Sequence, residues 1–352
     1  VKKKSGRDMI KTSATAAVVA AFAALFCTQA ASAQDVSASG PMQFRVHIEN
    51  DGGPFKRNNM EDRYYTSGVA FVLTHHPAWA RQLAEHMPFG EDFDPRRTGA
   101  GYFLTQQIFT PADLSLDPPD PTDRPYAGHL YGGVFWERAN DATLDRLELA
   151  IGVVGRPSLA EQSQKFIHDW LEGEDPQGWQ NQMDDEPTFQ LSAMRAWRMP
   201  LGAWGEGPAP FEIEALPEVS VDLGTAHRQV EIALTGRAGW NIPRDFGPGR
   251  IGRWHSSFDV PKRGWTVYVF GRVAGRAVQH NMFLDGSDFR DGPDVTGKPL
   301  VGELTAGLTV AYRRGAFATE VSYAQTLISE SFENQRGSQE LALVTAAISW
   351  GF

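Results

Sequence analysis

The 352-residue sequence carries 43 acidic against 33 basic side chains, a formal charge of −10 that argues against a nucleic-acid partner. Beyond its N-terminal segment there is no run of about 18 uninterrupted apolar residues, which excludes a helical membrane protein. A mean hydropathy of −0.35 looks water-soluble, but a transmembrane β-barrel alternates lipid-facing with lumen-facing residues and averages out near neutral. The 10 Trp, 21 Phe and 35 Gly are a heavy load of interfacial and turn residues, as such a barrel needs.

The first element is an expected signal peptide over 1–33. Lys2, Lys3, Lys4, Arg7 and Lys11 precede an apolar stretch at 14–26, and Ala31, Ser32 and Ala33 supply small residues before Gln34. The stretch is shorter than the about 20 residues of a spanning helix. The single cysteine, Cys27, follows the bulky Phe26, which does not suit a lipoprotein attachment site. Cleavage before Gln34 leaves 34–352 as one domain without cysteine or disulfide. Because 1–33 hold five basic groups and one acidic group, the remainder carries −14.

Strand candidates then follow at about 43–50, 64–75, 100–108, 127–138, 142–153, 188–199, 211–222, 226–238, 265–276, 302–313, 315–326 and 340–352. They predict an all-β fold, an antiparallel transmembrane barrel of twelve strands, an even number as single-chain bacterial barrels require. In the last strand Ala342, Val344, Ala346, Ile348, Trp350 and Phe352 alternate onto one face, and the terminal aromatic suits an interfacial girdle. With both termini in the periplasm, the long connections 51–63, 109–126, 154–187, 277–301 and 327–339 all face outward. The stretches 76–99 and 239–264 become long periplasmic connections. The first offers a short amphipathic helix at 77–87, and the second has no evident periodicity.

Polar residues gather at the predicted outer rim. In strand one Phe44, Val46 and Ile48 share the lipid face, so Arg45, His47 and Glu49 point inward, and the strand ends at Asn50 and Asp51. Strand two starts there with Asp62-Arg-Tyr-Tyr-Thr66-Ser-Gly68, and strand four is entered through Asp123-Arg124-Pro-Tyr-Ala-Gly128. A helix-like stretch at 159–171 follows strand five, and in it Gln164 and His168, four apart, share a face. A carboxylate, an amide, a hydroxyl and an imidazole at one rim can hold a hard cation and activate water.

The runs Glu49-Asn-Asp51, Asp62-Arg-Tyr-Tyr-Thr-Ser-Gly68, Asp123-Arg-Pro-Tyr-Ala-Gly128 and Gln164-Lys-Phe-Ile-His168, followed by Gly178-Trp, resemble those of the LpxR-type lipid A 3′-O-deacylases. The resemblance covers most of 34–352. It implies a twelve-stranded outer-membrane barrel, monomeric among outer-membrane lipids, with a Ca²⁺-dependent esterase site at the outer leaflet and lipid A or lipopolysaccharide as substrate. It also implies Asn50, Asp51, Thr66 and His168 as the functional residues. One departure is visible: the family has a functional lysine before strand four, whereas this chain has no lysine between Lys56 and Lys165. Arg124 is the nearest cation.

The expected chemistry is metal-assisted attack of water on the 3′-linked acyl ester. His168 serves as general base, since an imidazole titrates near pH 6.5. Asp51 and Asn50 are the expected metal ligands, and Thr66 a hydrogen-bonding group. Arg124, Asp123 and Gln164 support the rim. Two alternatives stand beside it. One is a barrel phospholipase using a serine such as Ser67. The other is a channel or structural barrel, against which the inward Arg, His and Glu side chains suggest a blocked lumen.

Overall fold

The computed structural model describes residues 40–52, 63–87, 93–171, 175–205, 209–252 and 263–351. The expected signal peptide, Asp62 and Phe352 lie outside them.

Thirteen strands form one antiparallel sheet: β1 (Met42–Asp51), β2 (Tyr64–His75), β3 (Thr98–Thr110), β4 (Ala127–Ala139), β5 (Thr143–Val154), β6 (Glu186–Trp197), β7 (Met199–Trp204), β8 (Phe211–Gly224), β9 (His227–Trp240), β10 (Gly264–Asn281), β11 (Leu300–Arg314), β12 (Phe317–Ile328) and β13 (Gln339–Trp350). Sequence neighbours pair except β6 and β7, which both pair with β8, and β1 also pairs with β13. The sheet is therefore closed, and β6 with β7 forms a single stave broken at Arg198. The guanidinium of Arg198 turns to Glu214 at 2.6 Å. The result is a twelve-stave barrel, as the strand pattern predicts, with every predicted strand present. Closure removes all open edges, which is what permits a sheet to lie in lipid.

The two faces separate as period-two alternation requires. Phe44, Ile48, Leu149, Ile151, Ile232 and Val344 are among the exposed apolar residues of the outer face. At the end where β1 begins and β13 finishes, Trp204, Phe211, Trp240, Trp265 and Phe317 lie close in register, with Phe211 and Trp240 rings 5.0 Å apart. They form one aromatic girdle. The inner face is ionic. Arg272 bridges Glu231 at 2.6 Å and Glu303 at 3.0 Å, Arg45 meets Glu320 at 3.2 Å, and Arg146 meets Glu148 at 2.5 Å. Buried charges are tolerable because they are paired; removing one partner typically costs about 3–5 kcal/mol.

The non-periodic stretch after β9 turns into the barrel. Residues 241–252 fill the lumen from the end where β1 begins and β13 finishes. Ile242 packs with Tyr268, Phe270 and Ala324, and Phe246 with Ala139, Leu144, Met194 and Ala196. Ile251 reaches Ala70, Val72, Phe103, Phe135 and Ala150. Polar ties hold this plug: Arg237 pairs with Asp245 and donates to the carbonyl of Pro243 at 2.8 Å, and Arg250 pairs with Glu303 at 2.7 Å. At the same end α1 (Ala78–His86) follows β2, where the amphipathic pattern predicts it. His76, just before it, is buried with Nδ1 3.0 Å from the carbonyl oxygen of Thr98. Burial lowers its pKa to about 4.

Candidate active site at the barrel rim

The other end of the barrel collects the end of β1, the start of β2, the end of β3, the start of β4 and the end of β5. Asn50, Asp51, Thr66, Asp123, Arg124, Gln164 and His168 therefore all belong to one rim, as strand parity predicts.

Asp51 and Thr66 are both buried at adjoining ends of β1 and β2. Asn50 pairs with Ser67 on the last rung of the β1–β2 ladder, and Asp51 and Thr66 lie just beyond it. On its other side β2 shifts register against β3 between Tyr65 and Ser67, leaving Thr66 as a bulge. A bulge re-aims side chains, and here Tyr65 and Thr66 are both buried. Tyr64, just before them, holds φ 67°, a region that bulky residues avoid. The Asp51 carboxylate is buried and its Oδ2 accepts from the Arg63 amide at 2.8 Å. The Thr66 hydroxyl shares a 2.7 Å hydrogen bond with that of Thr110.

Asn50 does not join them on the inner face. It is exposed, and its Nδ2 donates to the carbonyl of Asp51 at 3.0 Å. Alternation puts the neighbouring residues of one strand on opposite faces, and Asp51 takes the inner one.

The connection from β3 to β4 is held by Asp123. Its Oδ2 accepts from the Ala112 amide at 2.8 Å and its Oδ1 from the Arg124 amide at 2.7 Å. Arg124 is buried with its guanidinium 4.4 Å from the Phe109 ring centroid. Burial presses its pKa down to about 9, still cationic at neutral pH.

Helix α2 (Ala160–Leu171) lies against β3 and β4. Its approach explains Gly128: a Cβ there would come within 2.1 Å of Ser158 Oγ and 2.2 Å of Ala160 Cβ. Ala160, Gln164 and His168, spaced four apart, are the buried face of α2, while Phe166 and Ile167 are exposed. Gln164 Oε1 accepts from the Trp179 indole at 2.8 Å, and Trp179 lies against Tyr126 at 5.0 Å. The expected pairing of Gln164 and His168 on one face is present. The buried face thus carries two polar groups, while Phe166 and Ile167 lie exposed beside Gln162, Lys165 and Asp169. Among the described residues no three His, Cys, Asp or Glu side chains cluster as a metal site.

Sequence reasoning missed Tyr65, whose hydroxyl donates to Glu49 Oε2 at 2.8 Å, and Phe283, stacked 4.4 Å from Phe109. Phe283 belongs to the short helix α3 (Met282–Asp285), capped by Asn281. The Asn281-Met-Phe-Leu-Asp285 run, with a capping residue before apolar ones, is a signal that could have found it.

No curated protein sequence matches the chain. Among solved structures it is similar to LpxR from Salmonella typhimurium, with a TM-score of 0.67 and 20% identity, covering 88% of this chain and 100% of that one. The transport unit of the autotransporter AIDA-I from Escherichia coli aligns at a TM-score of 0.38 and 9% identity over 91% of this chain and 92% of its own. The family model described as outer membrane protein LpxR matches residues 18–351. With nearly the whole sequence matched by that model and the twelve-stave barrel shared with the Salmonella protein, the chain belongs to the LpxR family of outer membrane proteins.

Proposed function

We propose that this protein is a carboxylic ester hydrolase that removes the 3′-linked acyl chain of lipid A. The observation that carries this reading is the buried imidazole of His168. It sits on the inward face of a helix packed at the same rim as Asp51 and Thr66, in a chain of the LpxR family.

Asp51 and Thr66 are hard oxygen donors at one rim, and the described residues include no cysteine. That donor set suits Ca²⁺ rather than a soft metal. One carboxylate and one hydroxyl are fewer than the six to eight oxygens Ca²⁺ takes, so a bound ion would need further oxygens from water or substrate. When bound, such an ion polarises an ester carbonyl. Asn50 contributes by fixing the Asp51 backbone.

The imidazole of His168 accepts a proton from water as the water oxygen bonds to the ester carbonyl carbon. It then returns that proton to the departing sugar oxygen as the acyl–oxygen bond breaks. Gln164, anchored by Trp179, stiffens the helix turn that presents His168. Thr66 orders hydrogen bonds at the rim instead of acting as nucleophile, because its hydroxyl is engaged by Thr110 and not by a base.

In this reading the signal peptide is removed before Gln34, the barrel is a monomer in the outer membrane, and the rim faces the outer leaflet. Mass spectrometry of lipid A from cells with and without the protein tests it: the 3′-acyl mass should be lost only when the protein is present. Unaltered lipid A, together with release of fatty acid from labelled phospholipid, would replace it with the phospholipase reading.

A further inference from the structure

Most buried arginines in this barrel have a carboxylate, as Arg45 has Glu320, Arg146 has Glu148, and Arg272 has Glu231 and Glu303, while Arg63 donates to the carbonyls of Arg336 and Ser338. Arg124 has neither kind of partner among the described residues. It is 5% exposed, its Nε has no hydrogen-bond partner, and among the described residues no carboxylate lies within ion-pairing distance of its guanidinium. The nearest acid, Asp123, spends its two oxygens on the amides of Ala112 and Arg124.

The side chain is nevertheless held firmly. Its guanidinium rests on Phe109, which is itself wedged between Tyr65 at 5.4 Å and Phe283 at 4.4 Å. The loop behind it is tied down by hydrogen bonds from the Gln177 amide to the Leu114 carbonyl and from the Met183 amide to the Tyr126 carbonyl, both 2.9 Å. A guanidinium desolvated without a counter-charge is costly, and here it rests on Phe109 at the rim end of β3, the strand whose last residue is Thr110. A planar fork of donors without an acceptor is what a bidentate phosphate contact uses.

We propose that Arg124 is the receptor for a phosphate monoester carried on the sugar headgroup of a glycolipid, and so a specificity-determining residue of the rim site. It rests on the glycolipid reading above and adds to it the group by which the headgroup is recognised. The aromatic seat fixes the plane of the guanidinium, and the phosphate supplies the missing counter-charge. A lysine cannot reproduce that geometry, because its ammonium is a point charge without a fork.

The test uses the full-length protein in detergent with two ligands, lipid A bearing its phosphates and the same lipid enzymatically dephosphorylated. Binding is read by native mass spectrometry and, separately, deacylation as kcat and KM. Wild-type protein should bind the phosphorylated lipid at least about tenfold more tightly. R124Q should bring that ratio close to one, and R124K should fall between. On turnover, R124Q should raise KM for the phosphorylated lipid more than it lowers kcat. An equal fold loss on both lipids would mean that Arg124 only braces the rim and would overturn the proposal. Should R124Q fail to fold, wild-type protein without preference for the phosphorylated lipid overturns it as well. Inorganic phosphate is the third arm: full protection of the site by phosphate, with no discrimination between the lipids, identifies a free-anion site instead. Binding that discriminates through Arg124 without any hydrolysis keeps this proposal and sinks the deacylase reading; hydrolysis without discrimination does the reverse.

Discussion

Tyr65 and Glu49 meet inside the wall. The phenol donates to Glu49 Oε2 at 2.8 Å, while Glu49 Oε1 accepts the amide of Ile251 at 3.0 Å. Tyr65 is half of the bulge that turns Thr66 inward, and Ile251 belongs to the plug. A single buried carboxylate thus joins the filling of the lumen to the rim, and Gly68 leaves the room: a Cβ there would lie 2.1 Å from the Tyr65 hydroxyl and 2.8 Å from Ile251 Cδ1.

Tyr65→Phe should destabilise the barrel by about 1–3 kcal/mol, because it leaves a buried carboxylate oxygen without its donor. The urea midpoint of the folded protein in liposomes measures this. Gly68→Ala should be worse, since both the phenol and the plug must shift. A midpoint equal to wild type for Tyr65→Phe would mean that water replaces the hydroxyl.

His168→Ala should fold, reach the outer membrane and lose deacylation by at least about two orders of magnitude, the usual contribution of a general base. His47, hydrogen-bonded to Thr345 at 2.9 Å inside the barrel, and His76, at the opposite end, serve as controls. Loss of turnover in His47→Ala with normal turnover in His168→Ala would place the base inside the lumen.

Asp51→Asn should raise the calcium concentration needed for half-maximal activity by at least about tenfold, since ligand charge sets affinity at such sites. Its effect on folding should be small, because an amide oxygen can still accept from the Arg63 amide. Excess chelator should abolish wild-type activity; full activity in chelator would remove the metal from the reaction.

His76 should make the barrel acid-sensitive. Its pKa falls from 6.5 to about 4 on folding, so between these values the unfolded chain binds the extra proton. The stabilisation is complete above about pH 6.5 and is lost as pH falls towards 4, by up to about 3 kcal/mol. Denaturation in urea across that range, with His76→Gln as the non-titrating reference, should show a slope in the wild type that flattens in the variant.

The plug should make the wild-type barrel electrically silent. Replacing 243–251 by a short glycine-serine linker should give steady conductance in planar bilayers, because the contacts of Phe246 and Ile251 with the wall are then gone. Conductance in the wild type would favour a channel.

The staves were legible because period-two alternation repeats along every strand, and the rim because strand parity assigns ends. Helix α2 was legible from the spacing of Gln164 and His168. The plug was not: Asn241-Ile-Pro-Arg-Asp-Phe-Gly-Pro-Gly249 has no period, and Ile242, Phe246 and Ile251 are buried by tertiary contacts that no local pattern encodes. The outward position of Asn50 was implicit in the alternation that turned Glu49 inward. Pairing it with Asp51 as a joint ligand overlooked that consecutive residues face opposite ways. The bulge at Thr66 escaped because a register shift leaves no compositional trace.

The filled lumen has a geometric consequence for traffic. Among the described residues Ile242, Phe246, Ile251 and their ion pairs fill the lumen, so under the proposed function the lipid reaches the rim from the leaflet that surrounds the wall and not along the barrel axis. Encounter is then a search in two dimensions, governed by the surface density of the lipid and its lateral diffusion, and the concentration in bulk water drops out of the rate.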